Sequence, residues 1–450
     1  MFKTLDDFKA YIQNKIVAVV GLGISNTPLL NFLRSCGAKK ITARDKKENI
    51  EKTDGIFYIL GENYLDDLNE DIIFKTPGIR RDLPQFKDAV NSGSLLTCEM
   101  ELFFMLCPAV TVAVTGSEGK TTTTTIIGEI LKAGGKTVHV GGNIGEPLLS
   151  KIETIKKDDY AVVELSSFQL FDLDNGNFAP DYAVITNITP NHLDWHKDME
   201  EYIAAKKIIY KNQKETDRLV LSFDNEITHS IKCGASTVFF SANILPGGVY
   251  FDGKSIYAGG KKILDKSDIF MQGAHNILNY MAAIGVTHDI VAREAIVSAA
   301  QNIKGIEHRI EYVRNFGGVA YYNSSIDSSP TRTIAALCSF ESDAPNIIVI
   351  LGGSDKKISF EPLAPAVHAK TKAAVLYGET KEKIKQCLDG YKNGGLTIKV
   401  SDSFDAAVSE AKNLAGDGDI VLLSPACASL DCFKNFEERG ARFKDLVKGF

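Results

Sequence analysis

Residues 115–122 read Thr-Gly-Ser-Glu-Gly-Lys-Thr-Thr, directly after the apolar run Ala109–Val114. A strand, a two-glycine loop, and then Lys120 and Thr121 opening a helix make a phosphate cradle. Glycine lets backbone N–H groups approach phosphate oxygens. The helix N-terminus adds partial positive charge, Lys120 adds a full one, and Thr121 can hold Mg²⁺. The expected ligand is a nucleoside triphosphate held by Gly116, Ser117, Glu118, Gly119, Lys120, Thr121 and Thr122. The loop departs from GxxxxGK[ST], because Val114 stands where the first glycine would be. An ordinary glycine-rich turn is the alternative.

Other chemistry-bearing residues follow strand-like runs in the same region, and ligands of parallel α/β sheets gather at the carboxyl ends of strands. These are Gly141-Gly142-Asn143-Ile144-Gly145, Glu164 at the end of Val162-Val163-Glu164, and the stretch from Asn187 to His192. Glu164 interrupts an apolar run, so burial is expected, and a buried carboxylate needs a partner. Beside a phosphate loop that partner is Mg²⁺; a structural ion pair is the alternative. His192 reads as a metal or phosphate contact or as a structural histidine. His192 and His196 lack the rest of a zinc motif. In the helical stretch Met199–Tyr210, Lys206 shares the edge of Tyr202 while Lys207 points elsewhere. Lys206 is either a charge partner of the site, carbamylated or not, or part of a solvated face.

A second glycine pair, Gly21-Leu22-Gly23, follows the apolar run Ile16–Val20, and Asp45 ends the next strand. Asn26 replaces the third glycine of a dinucleotide fingerprint, so the pattern suits another nucleotide-diphosphate ligand equally well. A ligand-free strand-to-helix turn is the alternative.

Strand-like runs alternate with helical stretches over most of the chain, which indicates an α/β fold with parallel sheets. The 450 residues suggest about three domains of ~150 residues each. Boundaries are expected near residue 98, before the helix Glu99–Cys107, and near residue 310, with Gly317-Gly318 opening a new strand. Residues 212–270 read as smaller strands attached to the central sheet. A net charge of −6 with both signs interspersed argues against a nucleic-acid or membrane-surface binder. No signal peptide or membrane span is legible, so the chain is expected to be cytoplasmic. Eight cysteines without a CxxC read as reduced thiols, with Cys427 and Cys432 in a helix-like stretch.

Taken together and in order, these motifs resemble the Mur ligase family, the ATP-dependent amide-forming ligases of peptidoglycan precursors. The resemblance covers nearly the whole chain. It includes Glu164–Leu170, Thr186–Asp194, Gly273–Asn279, His308-Arg309 and Leu351–Lys356. Leu423–Asp431, with Phe433, Phe436, Arg439 and Gly440, is most similar to the D-glutamate-adding member. The resemblance implies a Rossmann-like N-terminal domain (1–98), a central P-loop ATPase-like parallel sheet with ATP and two Mg²⁺ (99–310), and a Rossmann-like C-terminal domain (311–450). It implies UDP-N-acetylmuramoyl-L-alanine and D-glutamate as partners of a monomer. Gly21, Gly23, Ser25, Asp45, Thr76 and Gly78 would hold the UDP part, and Ser328, Lys356, Ser429 and Phe436 the amino acid. Asn276 and Arg309 would contact ATP. Thr121, Glu164 and His192 would hold the metals, and Asn143 the reacting group. Lys120, Asn143, Glu164, His192 and Lys206 form the implied catalytic set, and Lys206 matches the position that is carbamylated. Residues 323–328 depart from the family pattern: Ser324 replaces an aspartate and Ile326 a lysine, while Ser328 keeps its hydroxyl. Asp327 is the candidate substitute for the missing acid. Another Mur or folylpolyglutamate-type ligase, or a non-catalytic nucleotide-binding homologue, are the competing readings.

Overall fold

The computed structural model describes residues 4–450 except 24, 177, 194, 272, 341–343, 357 and 392–394. The chain divides into two compact units. One comprises Met1–Asp268 and Ile277–Ala299; the other comprises Ile269–Asn276 and Ala300–Phe450.

The first unit contains two sheets. Strands β1 (Ile16–Val20), β2 (Lys40–Asp45), β3 (Phe57–Leu60), β4 (Ile72–Lys75) and β5 (Leu95–Thr97) form a sheet in the order β3-β2-β1-β4-β5. All its pairings are parallel. The order reverses between β1 and β4, so the loops after these strands open side by side, which makes a ligand crevice in such sheets. The nine-stranded sheet holds β6 (Val110–Thr115), β7 (Val138–Gly142), β8 (Tyr160–Glu164), β9 (Tyr182–Ile185), β10 (Arg218–Ser222), β11 (Ser236–Ser241), β12 (Val249–Phe251), β13 (Ser255–Ala258) and β14 (Lys261–Asp265). Its order is β14-β13-β12-β11-β10-β9-β6-β8-β7. Residues 212–270 thus extend the central sheet, as their turn-rich β-like pattern suggests. The central β6 is buried from Thr111 to Thr115, which explains its run of valine, alanine and threonine without period-two alternation. Its position between β9 and β8 lets three carboxyl ends meet at one place.

The second unit holds β15 (Glu311–Phe316), β16 (Val319–Asn323), β17 (Ile347–Gly352), β18 (Thr371–Tyr377), β19 (Thr397–Val400) and β20 (Ile420–Leu423), in the order β15-β16-β20-β17-β18-β19. Only the β15–β16 pair is antiparallel. Gly317 and Gly318, both at positive φ, close this hairpin. The sequence expectation of a strand beginning at Gly317-Gly318 therefore missed β15, whose polar residues Glu311, Arg314 and Asn315 mask the strand pattern. The helix-like reading around Cys427 and Cys432 is also corrected. This stretch is turn and bend, and the helix begins at Phe436. Among the described residues no helix is long and apolar enough to cross a membrane.

Inside the first unit, the two sheets are joined through buried charge. Lys75, the last residue of β4, is 1% exposed and pairs with Asp172, 5% exposed, at the end of the helix Ser167–Asp172. Arg81 adds a 3.0 Å bond to the Asp172 carbonyl. Breaking a buried pair on one side costs about 3–5 kcal/mol, because the remaining charge has no counterpart. Lys75→Met should therefore lower the thermal unfolding midpoint markedly. The double variant Lys75→Met/Asp172→Leu should recover most of the loss; equal midpoints for Lys75→Met and the parent would remove this pair as a support of the fold.

Candidate active site

The phosphate loop is held by the end of β9. Gly116 has φ +153, and a Cβ there would lie 1.8 Å from Thr186 Oγ1. Thr186 Oγ1 donates to the Glu118 carbonyl at 2.5 Å. Asn187 completes the clamp: its Oδ1 accepts from Glu118 N at 2.9 Å, and its carbonyl accepts from Ser117 N at 2.9 Å. The Ser117 hydroxyl bonds the Thr189 carbonyl and the Tyr202 hydroxyl, each at 2.8 Å. Ser117, named from sequence as a triphosphate contact, thus also pins the loop. Gly119, at φ +78, caps the helix Lys120–Ala133, and a Cβ there would lie 2.4 Å from Asn279 Oδ1. The first i→i−4 bond of that helix is Thr123 N to Gly119 O. The terminal donors of its first turn are therefore those of Lys120, Thr121 and Thr122.

Two lysines converge on one carbonyl. The Gly116 oxygen accepts from Lys120 Nζ at 3.1 Å and from Lys206 Nζ at 2.8 Å. Lys206 is 1% exposed, so its solvated-face reading is excluded, while Lys207 is exposed as expected. Lys206 also reaches Thr115 Oγ1 at 3.3 Å and lies 4.8 Å from the centre of the Tyr202 ring. Burial, and then the neighbouring Lys120, push its pKa well below the ordinary lysine value; Glu164 opposes this. That direction favours the uncharged amine over the ammonium.

Glu164, 1% exposed, ends β8. Its Oε1 accepts from Asn143 Nδ2 at 2.9 Å, whereas Oε2 is buried without a hydrogen-bond partner. Gly142 makes this packing possible: at φ +100, its absent Cβ would lie 2.2 Å from the Glu164 carbonyl. An orphaned buried carboxylate oxygen beside a phosphate cradle fits a divalent cation, with Thr121 half-buried on the adjoining helix turn. His192 is exposed at φ +55, edge-on to Phe168 at 4.9 Å. His196 is buried instead, 2.9 Å from Ser167 Oγ and 3.5 Å from Glu201. Among the described residues no group of three His, Cys, Asp or Glu side chains is arranged to hold a metal. A cation here would need phosphate and water oxygens to complete its shell.

In the first sheet, Gly21, Asp45 and Thr76 meet at the crevice between β1 and β4. Gly21 has φ +82, and a Cβ would lie 2.4 Å from Thr76 Cγ2. Asp45 Oδ2 accepts from Leu22 N at 2.6 Å, and Oδ1 from Lys47 N at 2.8 Å. Gly23 and Gly78 face open space on their missing-Cβ side. Ser25 precedes the helix Asn26–Ser35 without a side-chain cap bond.

In the second unit, Lys356 Nζ lies 3.2 Å from both the carbonyl and the hydroxyl of Ser328, so two residues named from sequence are brought together. Ser429 is buried and accepts from Phe433 N at 2.8 Å through its carbonyl. Phe436 is half-buried and edge-on to His308 at 5.9 Å. Asn276 is buried and Arg309 half-buried. Ser324 accepts from Ile310 N at 3.2 Å, and Ile326 is half-buried. Asp327 is turned inward and accepts from Ser424 Oγ at 2.7 Å; burial pushes its pKa up to about 6. Sequence reasoning named Arg439 only within a motif and gave it no contact. Fully buried, it donates to the carbonyls of Ser325, Cys427 and Ala428, and so ties together the loops that carry Ser328 and Ser429. Arg80 was also missed, although its place two residues after Gly78 was a usable signal.

The Mur ligase middle domain matches residues 114–287, and the Mur ligase glutamate ligase domain matches residues 308–427. The chain is 48% identical over 464 residues to a UDP-N-acetylmuramoylalanine--D-glutamate ligase of Acetivibrio thermocellus, with 98% of each chain covered. Among solved structures, a UDP-N-acetylmuramate-alanine ligase of Thermotoga maritima matches with TM-score 0.61 at 19% identity, covering 97% of this chain and 100% of that one. A MurF ligase of the same organism, in complex with ADP, matches with TM-score 0.57 at 18% identity over 98% and 97% of the two chains. At such identities the two structures show a shared fold.

The tightest of these contacts gives a direct test. Gly116→Ala must displace Thr186 from the Glu118 carbonyl, and so should abolish triphosphate binding measured by calorimetry. Gly23→Ala, where a Cβ meets nothing within 4 Å, should leave it unchanged. Full binding by Gly116→Ala would show that this loop is not the cradle.

Proposed function

The chain belongs to the Mur ligase family, and we propose that it joins D-glutamate to UDP-N-acetylmuramoyl-L-alanine at the expense of ATP. The observation that carries this reading is the orphaned Glu164 oxygen beside a loop on which Lys120 and Lys206 both converge. Such a site is built for a highly charged, transferable phosphate. In this reading the chain works as three domains, 1–98, 99–310 and 311–450, which take the UDP part, ATP and the amino acid in turn.

The alanine carboxylate of the UDP substrate attacks the γ-phosphorus of ATP, and the bond to the bridging oxygen breaks, giving an acyl phosphate and ADP. The D-glutamate amine then adds to the acyl carbon. The tetrahedral intermediate loses a proton and expels phosphate, leaving the amide. Positioning and charge neutralisation supply most of the rate in such transfers. Lys120 and the first-turn N–H groups of its helix hold the triphosphate. Asn143, fixed on Glu164, presents its amide to the reacting group. Thr121, Glu164 and His192 would hold Mg²⁺, which when bound offsets the charge of the phosphates. Lys206, whose burial favours the uncharged amine, would take up carbon dioxide as a carbamate, turning a buried amine into an anion that could support a bound metal. Lys356 and Ser328 would bind a carboxylate of D-glutamate, with Ser429 and Phe436 bounding its pocket. Gly21, Gly23, Ser25, Asp45, Thr76 and Gly78 would receive the UDP part, and Asn276 and Arg309 would contact ATP.

The decisive assay is phosphate release from ATP. It should require both UDP-N-acetylmuramoyl-L-alanine and D-glutamate; release with another amino acid in place of D-glutamate would point to a different ligase of the family. Tight ATP binding with no turnover would favour a non-catalytic homologue. Isotopically labelled bicarbonate should give a carbamate signal by NMR that Lys206→Arg abolishes. Should Asp327 stand in for the acid that Ser324 replaces, Asp327→Ala raises the KM for ATP several-fold, and an unchanged KM rejects that role.

A further inference from the structure

The loop that follows β4 is bound to the central sheet by more than packing. Trp195 Nε1 donates to the Gly78 carbonyl at 3.1 Å. Arg80 Nη1 donates to the Trp195 carbonyl at 3.0 Å, and Nη1 and Nη2 each reach Glu201 at 2.9 Å. On its other edge the guanidinium meets Asp82, with Nε and Nη2 each at 2.9 Å. It also lies 4.8 Å from the Trp195 ring centre and 5.2 Å from that of Phe171. Arg80 and Glu201 are 19% and 17% exposed, so this is a largely desolvated, forked contact. Arg80 holds the Glu201 carboxyl down at about 2. Glu201 sits in the first turn of the helix Met199–Lys207, one helical turn and a residue before Lys206. Trp195 follows His192 by three residues, and its N–H returns to the His192 carbonyl at 3.2 Å. His196, beside Glu201, continues the chain of contacts to Ser167, three residues beyond Glu164.

We infer that Arg80 is a positioning residue of the ligase reaction. It sets the Thr76–Gly78 loop of the first sheet in register with both the His192 turn and the Lys206 helix of the central sheet. The inference rests on the proposed reaction, in which the first loop holds the UDP substrate whose carboxylate attacks and the other two surround the phosphate that it attacks. An ångström of error between them is enough to cost about a hundredfold in rate. Lysine at position 80 would keep the charge but could not bridge Trp195, Glu201 and Asp82 in one plane.

The test compares Arg80→Ala, Arg80→Lys and Glu201→Gln with Asp82→Asn in the full chain. Asp82 grips the same guanidinium but belongs to the same loop; its approach to the exposed Lys197 at 3.9 Å is a weak surface pair, so its loss leaves the bridge to Trp195 and Glu201 intact. The three bridge variants should lower kcat by about tenfold to a hundredfold and raise the KM for the UDP substrate. ADP affinity by calorimetry should stay within about twofold, since none of the substituted side chains bonds the phosphate loop itself. Asp82→Asn should stay near the parent. Trp195 is the only tryptophan, so its emission reads the bridge without any turnover. The emission should shift in the Arg80 variants and in Glu201→Gln, but not in Asp82→Asn. This arm holds even if the parent fails to use the two proposed substrates, which separates failure of the reaction from failure of the bridge. Unchanged kcat and emission in Arg80→Ala, or equal losses in Arg80→Ala and Asp82→Asn, would overturn the inference. So would an equal loss of ADP affinity, which marks a merely structural residue.

Discussion

No Cβ fits between Gly116 and Thr186. That close approach exists because β6 lies beside β9, and the remaining site geometry descends from it. With β8 on the other flank of β6, the phosphate loop has Thr186 and Asn187 on one side and Glu164 on the other. The Lys206 helix covers the loop's base through Ser117, Thr115 and Gly116. A bulkier residue at position 116 would disturb all these contacts together, since each is measured against the same backbone.

Four buried lysine and arginine side chains among the described residues meet the same desolvation problem in different ways. Arg44 pairs with Glu70 and also donates to the carbonyls of Tyr64, Asp66 and Asp67, fixing the loop before β4. Lys75 takes Asp172 as a counter-charge. Arg439 has only carbonyl and hydroxyl acceptors, yet guanidinium does not give up its proton, so its charge is spread over five acceptors. Lys206 likewise contacts only a carbonyl and a hydroxyl, but an ammonium can escape the penalty by deprotonating. Side-chain type thus separates a structural brace from a reactive group in surroundings of similar polarity. Arginine at position 206 would keep a charge that the site has no anion to neutralise directly.

Much of this was legible in the chain itself. Gly116, Gly119 and Glu164 stood out because a polar or glycine residue at the end of an apolar run has few structural excuses, whereas Lys206, inside a helix, read equally as a charge partner or as part of a solvated face until its burial was seen. The attachment of residues 212–270 to the central sheet followed from short β-like runs between turns. What Arg80 and Arg439 bind was not legible from their places after Gly78 and in the Leu423–Gly440 block, since an arginine in a polar stretch looks the same whether it is solvated or buried; only tertiary contacts distinguish the two. The β15–β16 hairpin was hidden for a related reason. Both faces of β15 are only partly buried, so its alternation is weak. The internal bonds of Ser117 were not legible either: the motif locates the loop but does not say which donors it consumes internally.

That last distinction bears on how the cradle works. Ser117 N and Glu118 N are committed to Asn187, so the middle of the loop serves to hold its shape. The donors that the helix cannot use itself, those of Lys120, Thr121 and Thr122, lie together at its first turn, beside the Lys120 side chain. Donors fixed this way need no reorganisation when an anion arrives, and a preorganised dipole stabilises charge better than a mobile one. The rigidity comes from outside the loop, through Thr186, Asn187 and Tyr202. A shortened loop with Val114 in place of a glycine can hold a triphosphate because neighbouring elements supply the constraint that a longer, glycine-rich turn would otherwise provide.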